Sequence, residues 1–280
     1  MKRILALGLV CIFLLSGCSH KETSQKETAP ETGQPSESTS EISSQEVPQK
    51  MVLMKEIRYN ADDEILSSSE YTYDESGNLI ECATHDADGN LKSLETLIDE
   101  EHPVSLVSYG SNGNPEKRTD YVYDEDGRRT STTYSQEDEP SYTDKNVYNE
   151  KGQKTEVIRT QNGTSFTYQK NSYDERGQEL TTYSYFDDGS IMCIATNEYD
   201  QDGNLTAVKY DYQPPYAFSM WLKYKYDDNG NCIESICCDE AGANQMKELV
   251  QYDDYGNRIR YDSYDGETLL SYTVFEYGTI

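Results

Sequence analysis

Histidine is nearly missing from this chain: three residues in 280. Tryptophan occurs once and phenylalanine five times. Leu, Ile, Val and Phe together make only about 17% of the sequence, a share that with a large net charge usually marks disorder. Basic residues are scarce, 24 against 52 acidic ones, for a net charge of -28. There is a single long apolar run, close to the N-terminus. Each shortage excludes something. One apolar run rules out a multi-span helical membrane protein. So much negative charge repels phosphate, so nucleic acid is not an expected partner. Three histidines leave little for a His-rich metal site or a catalytic triad. What the chain does have is tyrosine, 25 in all and every one after residue 50. A tyrosine buries a large ring and keeps a polar tip, so a core can be built from Tyr where Leu is rare.

The first 50 residues read as an address and a tether. Lys2 and Arg3 precede an apolar stretch, Ile4 to Leu15, too short to cross a bilayer comfortably. Leu15-Ser16-Gly17-Cys18 follows and resembles the lipobox of bacterial lipoproteins. The resemblance implies that residues 1–17 are a lipoprotein signal peptide and that Cys18 carries acyl chains such as palmitate. More than one chain is what stable anchoring needs. Residues 18–51 are then the lipidated Cys and a disordered linker of Ser, Thr, Glu, Gln, Pro and Lys. Residues 19–50 have a coil reach of roughly 30 Å. The expected location is the extracytoplasmic face of a bacterial cell membrane.

Residues 52–280 are a repeat. Tyr71-Thr72-Tyr73-Asp74-Glu75-Ser76-Gly77-Asn78-Leu79 sets the pattern. It returns at Tyr123-Asp124 with Gly127, Tyr148-Asn149 with Gly152, Tyr173-Asp174 with Gly177, and Tyr199-Asp200 with Gly203. Tyr226-Asp227 with Gly230 and Tyr252-Asp253 with Gly256 complete the clear copies. Ile98-Asp99 fits as a degenerate copy and Tyr277-Gly278 as a last partial one. The step is about 25 residues, the range of repeat architectures. A weaker track runs halfway between, through Tyr59, His85, Tyr109, Tyr134, Arg159, Tyr185, Tyr212, Cys238 and Tyr264. Each unit therefore holds two turn signals.

The motif has a physical reason. Asp at the first turn position accepts hydrogen bonds from backbone two residues on. Gly at the fourth takes the positive φ that closes a type I turn with a G1 bulge. Between turns lie about eight residues rich in Tyr, Thr, Ile, Val and Ser, the length and composition of a strand. The expected fold is all-β: an antiparallel meander of hairpins with about 18 short strands in a twisted or coiled open sheet. Val52–Ile57 and Leu269–Phe275 are expected to cap its ends. Strand lengths vary by a residue or two, and one slip exchanges the faces, so the buried face stays open at this point.

These Tyr-Asp-x-x-Gly-Asn-Leu units resemble the YD repeat of RHS-type proteins. The resemblance covers about residues 55–278. It implies a wall of coiled β-sheet. Long members of that family enclose a toxin domain, but this chain is too short for a closed shell of that kind. A looser likeness to the hairpin repeats of cell-wall and choline-binding modules shows at Tyr185-Phe186-Asp187-Asp188-Gly189. Those modules depend on regular Trp, and here there is only Trp221.

Candidate chemistry is thin. Asp86-Ala87-Asp88-Gly89-Asn90 has some calcium-loop character, but Gly comes too early for an EF-hand. Turn chemistry explains it more simply. His85 sits in an aromatic slot and His102 lies in the degenerate turn; both read as structural. No nucleophile elbow, P-loop or dinucleotide fingerprint occurs, so the expectation is a protein that is not an enzyme and takes no cofactor or metal. Beyond Cys18 the mature chain has Cys82, Cys193, Cys232, Cys237 and Cys238, an odd number read as free, strand-filling thiols. One stretch breaks the rhythm. Tyr210 to Trp221 holds the only Pro-Pro and the only Trp. It is either a longer hairpin loop or an aromatic ligand platform of Tyr212, Tyr216, Phe218 and Trp221. The expected function is a membrane-anchored binding module for an envelope glycan or a protein. The alternative is a spacer or a toxin-immunity-type lipoprotein. The oligomeric state stays open.

Overall fold

The computed structural model describes residues 51–97, 101–137 and 139–280. Cys18, the signal peptide, most of the linker and the Ile98-Asp99 turn lie outside the described residues. The described residues form 18 strands. The first nine are β1 (Met51–Asn60), β2 (Ile65–Tyr73), β3 (Leu79–Asp86), β4 (Leu91–Leu97), β5 (Pro103–Tyr109), β6 (Pro115–Tyr123), β7 (Arg129–Gln136), β8 (Glu139–Tyr148) and β9 (Lys154–Gln161). The second nine are β10 (Thr164–Tyr173), β11 (Glu179–Tyr185), β12 (Ile191–Tyr199), β13 (Leu205–Tyr212), β14 (Phe218–Tyr226), β15 (Cys232–Asp239), β16 (Asn244–Tyr252), β17 (Arg258–Asp265) and β18 (Thr268–Thr279).

Every strand pairs antiparallel with its sequence neighbours, as the turn spacing leads one to expect. The expected open sheet is corrected. β1 pairs with β18 as well as with β2, from Met51 opposite Thr279 to Asn60 opposite Ser271, so the sheet closes into a barrel. The terminal segments expected to cap the array instead form its seam. There the Tyr59 and Tyr272 rings stack at 5.0 Å, and Arg58 Nη2 donates to Ser271 Oγ at 3.0 Å. The physical reason is the edge. An open sheet leaves two rows of unpaired backbone groups, and twisted open sheets rarely exceed about ten strands. Closure removes both edges.

The turns obey the motif. Gly77 N donates to the Asp74 carbonyl at 3.0 Å and Asp74 N to the Asn78 carbonyl at 2.9 Å, with φ of 80° at Gly77. The Asp74 carboxylate accepts from Ser76 N and Asn78 N, both at 2.9 Å, and Asn78 Nδ2 donates to its second oxygen. The same arrangement recurs at Asp227 and Asp253.

Nearly every hairpin then slips by one residue on the strand leaving its turn. Thr72 faces Glu81 while Tyr73 faces Leu79, so Ile80 is passed over. Leu66, Val104, Leu180, Ile259 and Leu270 occupy equivalent skipped positions, and all five are exposed. These bulges decide the face that strand length alone leaves open. On β14 Met220, Leu222 and Tyr224 are buried while Lys223 and Lys225 are exposed. On β2 and β6 the tyrosines 71, 73, 121 and 123 are covered while Glu70, Thr72 and Val122 are exposed. The tyrosine-bearing face is thus the enclosed, inner one. A barrel of this strand number surrounds a lumen rather than a filled core.

Apolar packing concentrates on one arc. Val208, Met220, Leu222, Tyr224, Cys232 and Cys237 form a cluster across β13 to β15. Elsewhere the inner wall is polar and paired. Arg159 forks onto Asp144 with two bonds of 2.8 Å, its guanidinium lying 3.5 Å from the Tyr168 ring centroid and 4.1 Å from that of Tyr142. Charges also stud the outer face: Lys170, Glu198, Lys223 and Lys225 are exposed there. A spanning barrel needs an outward apolar band about 25 Å tall, and these side chains interrupt any such band. No helix among the described residues is long and apolar enough to cross a membrane.

Candidate binding site at the aromatic rim

The barrel has two rims. One carries the Tyr-Asp turns, from the β2–β3 turn to the β16–β17 turn, together with the start of β1 and the end of β18. The other carries the second-track turns, from β1–β2 to β17–β18.

At the first rim the repeat tyrosines are structural. Tyr173 Oη donates to the Lys154 carbonyl at 2.7 Å, where Lys154 is the first residue after the preceding Tyr-Asp turn. Tyr199 does the same to Glu179 at 2.9 Å, Tyr226 to Leu205 at 2.8 Å and Tyr252 to Cys232 at 3.0 Å. Tyr148 reaches Arg129 at 2.7 Å, Tyr73 reaches Leu53 at 2.6 Å and Tyr277 reaches Arg258 at 2.9 Å. Each ring fills the inner rim, and each hydroxyl ties its repeat to the one before. Tyr123 instead meets the edge of His102 at 5.0 Å, and the Gly127 carbonyl lies 3.1 Å from His102 Nε2. Gln178 Nε2 donates to the Gly203 carbonyl at 3.2 Å, spanning the same 25 residues.

The turn carboxylates of Asp74, Asp200 and Asp253 are held below the usual carboxylate range by amides of Asn78, Asn204 and Asn257 in their own turns. The Asp124 carboxyl is lowered too, burial being outweighed by backbone and side-chain bonds from Arg128. Asp174 also accepts from Gln178 N at 2.8 Å. These oxygens are consumed by the turns. No group of three or more His, Cys, Asp or Glu among the described residues is arranged to hold a metal.

The thiols are inward or strand-filling. None of the five described cysteines is in a disulfide. Burial pushes Cys82 and Cys193 up to about 11, so neither is a thiolate at neutral pH. Cys237 pairs across the ladder with Leu222 and Cys238 with Trp221, on opposite faces. On the inner wall of β1 to β4, burial also raises Glu56, Tyr71 and Glu95 above their ordinary values, and Glu56 and Tyr71 are hydrogen-bonded.

The irregular stretch is the β13–β14 turn, on the second rim. Tyr212 and Phe218 are cross-strand partners whose rings stack at 4.6 Å and 16°. Tyr216 stands edge-on to Tyr212 at 6.5 Å and lies parallel to Phe186 at 6.4 Å. Tyr210 extends the row inward, 6.5 Å from Tyr212. Tyr216 is 54% exposed and Phe218 38%. Burial pushes the Tyr212 hydroxyl up, so it is the anchored base of the group.

Three of the four expected platform residues thus converge, and the fourth does not. Trp221 pairs with Lys209 and Cys238 on the outer face, with Lys209 Nζ 5.7 Å and Lys223 Nζ 5.8 Å from its ring centroid. The reason is parity. Phe218 and Met220 share a face on β14, and residue 221 points the other way. Sequence reading missed Phe186. It occupies the turn position where other turns carry Asp, and it comes from the β11–β12 turn, one repeat before Gln213. An apolar residue in an Asp slot was the available signal.

No protein-family model and no curated protein matches the sequence. Solved structures resemble the fold distantly. A porin-like protein from Bacteroides uniformis has 12% identity and a TM-score of 0.45, over 84% of this chain and 98% of that one. A porin-like protein from Bacteroides vulgatus has 11% identity and a TM-score of 0.32, over 81% and 98%. The TcdB2-TccC3-Cdc42 structure has 14% identity and a TM-score of 0.36, over 81% of this chain; the match spans only 15% of that larger chain.

Proposed function

We propose that this protein is a non-catalytic binding module of the bacterial envelope, tethered through Cys18 beside the membrane, that holds a partner on its aromatic rim. The observation that carries the reading is the ring cluster at one end of the barrel, in which exposed Tyr216 and Phe218 stand on half-buried Tyr212 and Phe186. Rings that present an apolar face and a polar edge suit recognition of a glycan or a peptide. The tether is compatible with this use. Residue 51 begins β1 at the Tyr-Asp rim, and strands of 7 to 12 residues separate the rims by about 25 Å. A lipid at Cys18 would therefore join the barrel at the end opposite the aromatic rim. The charged outer face favours a barrel that stands in water rather than in lipid.

The test is a pull-down from envelope extract with the full chain and with its Tyr216→Ala/Phe218→Ala form, alongside a Cys18→Ser form for membrane attachment. A specific partner retained by the native chain and lost by the rim variant supports the reading. Equal capture by both contradicts it.

A further inference from the structure

The aromatic loop sits between two acidic turns. On the same rim, the neighbouring β11–β12 turn carries Asp187 and Asp188, and the neighbouring β15–β16 turn carries Asp239 and Glu240. Asp187, Asp188 and Glu240 are exposed on the turns either side of the loop that carries Tyr216 and Phe218, and one Asp188 oxygen accepts from Ser190 N and Oγ of its own turn. The turn segments 186–190, 213–217 and 239–243 contain no Lys or Arg to neutralise them. An apolar, ring-faced platform flanked on both sides by carboxylates is complementary to one chemistry: a cation on an apolar stem. Ring faces attract ammonium and guanidinium groups, and the flanking carboxylates add charge pairing and steering. Anionic wall polymers and acidic peptides meet repulsion at the same place.

We infer that the aromatic rim takes a basic polypeptide segment in which Lys or Arg alternates with apolar side chains. The apolar side chains pack on Tyr216 and Phe218, and the cations meet the carboxylates of the two adjacent turns. This rests on the reading of the rim as the binding site and adds the class of partner.

The test is a titration of the full chain in detergent micelles with three synthetic probes: a Lys/Phe peptide, its Glu/Phe counterpart and a neutral β-linked oligosaccharide. The Lys/Phe peptide is expected to bind, and the other two are not. Asp187→Asn/Asp188→Asn should weaken that binding about fivefold, the worth of two exposed charge pairs. Glu75→Gln/Glu125→Gln/Glu175→Gln, which removes still more charge from the opposite rim, should leave it within about twofold, because distant exposed charges are screened. Tyr216→Ala/Phe218→Ala should abolish it. Equal weakening by the two charge sets means non-specific attraction to an acidic protein and overturns the inference. So does failure of the Lys/Phe peptide to bind. Binding of the oligosaccharide that is lost in Tyr216→Ala/Phe218→Ala and indifferent to the Asp pair overturns the basic partner but keeps the rim. Indifference of every probe to Tyr216→Ala/Phe218→Ala overturns both.

Discussion

Tyr173 donates a hydrogen bond from its hydroxyl to the Lys154 carbonyl at 2.7 Å, 19 residues earlier and one repeat away. The tyrosine of the repeat is thus a clasp between units. Its ring supplies burial and its tip gives that carbonyl a partner.

Tyr173→Phe keeps the ring and removes the clasp. It should lower stability by about 1 kcal/mol, the net worth of one hydrogen bond, read as a shift in urea midpoint. Tyr173→Ala also opens a cavity and should cost about 3 kcal/mol or more. Equal losses for the two variants would place all the value in the hydroxyl.

Gly203 has φ of 90°, and a Cβ there would lie 3.2 Å from Gln178 Nε2. Gly203→Ala should therefore destabilise by about 1–3 kcal/mol through backbone strain and a disturbed repeat-to-repeat bond. Asn162 already holds φ of 53° without being Gly. Asn162→Gly should be close to neutral. Thermal melts of both variants check the contrast.

The inner carboxyls set an opposite pH trend from the turns. Burial raises Glu95 above its ordinary value of 4.5, so at neutral pH the unfolded chain holds the charge more easily than the folded one. Glu95 thus opposes folding at pH 7, and that penalty fades as pH falls through its raised folded value. Glu95→Gln should be more stable than the native chain at pH 7, with the gap closing near pH 4. The turn aspartates behave conversely. Asp74, Asp200 and Asp253 are lowered, so their contribution is full above their ordinary 3.8 and is lost below it. Denaturant melts at pH 7 and pH 4 separate the two.

Much of this was readable in the sequence, for a physical reason. Gly with positive φ and Asp with its side-chain cap are local requirements, so Tyr73-Asp74 through Tyr252-Asp253 announce turns, and turns at a fixed step announce strands. Closure was not readable. It is made by backbone groups of β1 and β18, more than 200 residues apart, and backbone groups leave no composition signal. Nor was the buried face, because one skipped residue such as Ile80 reverses it. The same parity put Trp221 outside the platform it was expected to join, while Phe186 entered from a neighbouring hairpin.

The repeat can be shortened. Excising 149–173 removes two turns, β9 and β10, and joins Tyr148 to Asp174, which recreates the motif at the junction. The product should fold as a barrel of two fewer strands, with a cooperative melt and native-like circular dichroism. An unfolded product would contradict stability built by summing neighbouring repeats.

Closure is tested most directly by the distance between the two ends of the sheet. Met51 lies opposite Thr279 and is 55% exposed, and Ile280 next to it is 43% exposed. Paired spin labels at Met51 and Ile280 should give a single separation under about 20 Å, since adjacent strands lie roughly 5 Å apart and the labels add the rest. A separation of several tens of Å, on the order of what 17 inter-strand steps produce in an open sheet, would contradict the barrel.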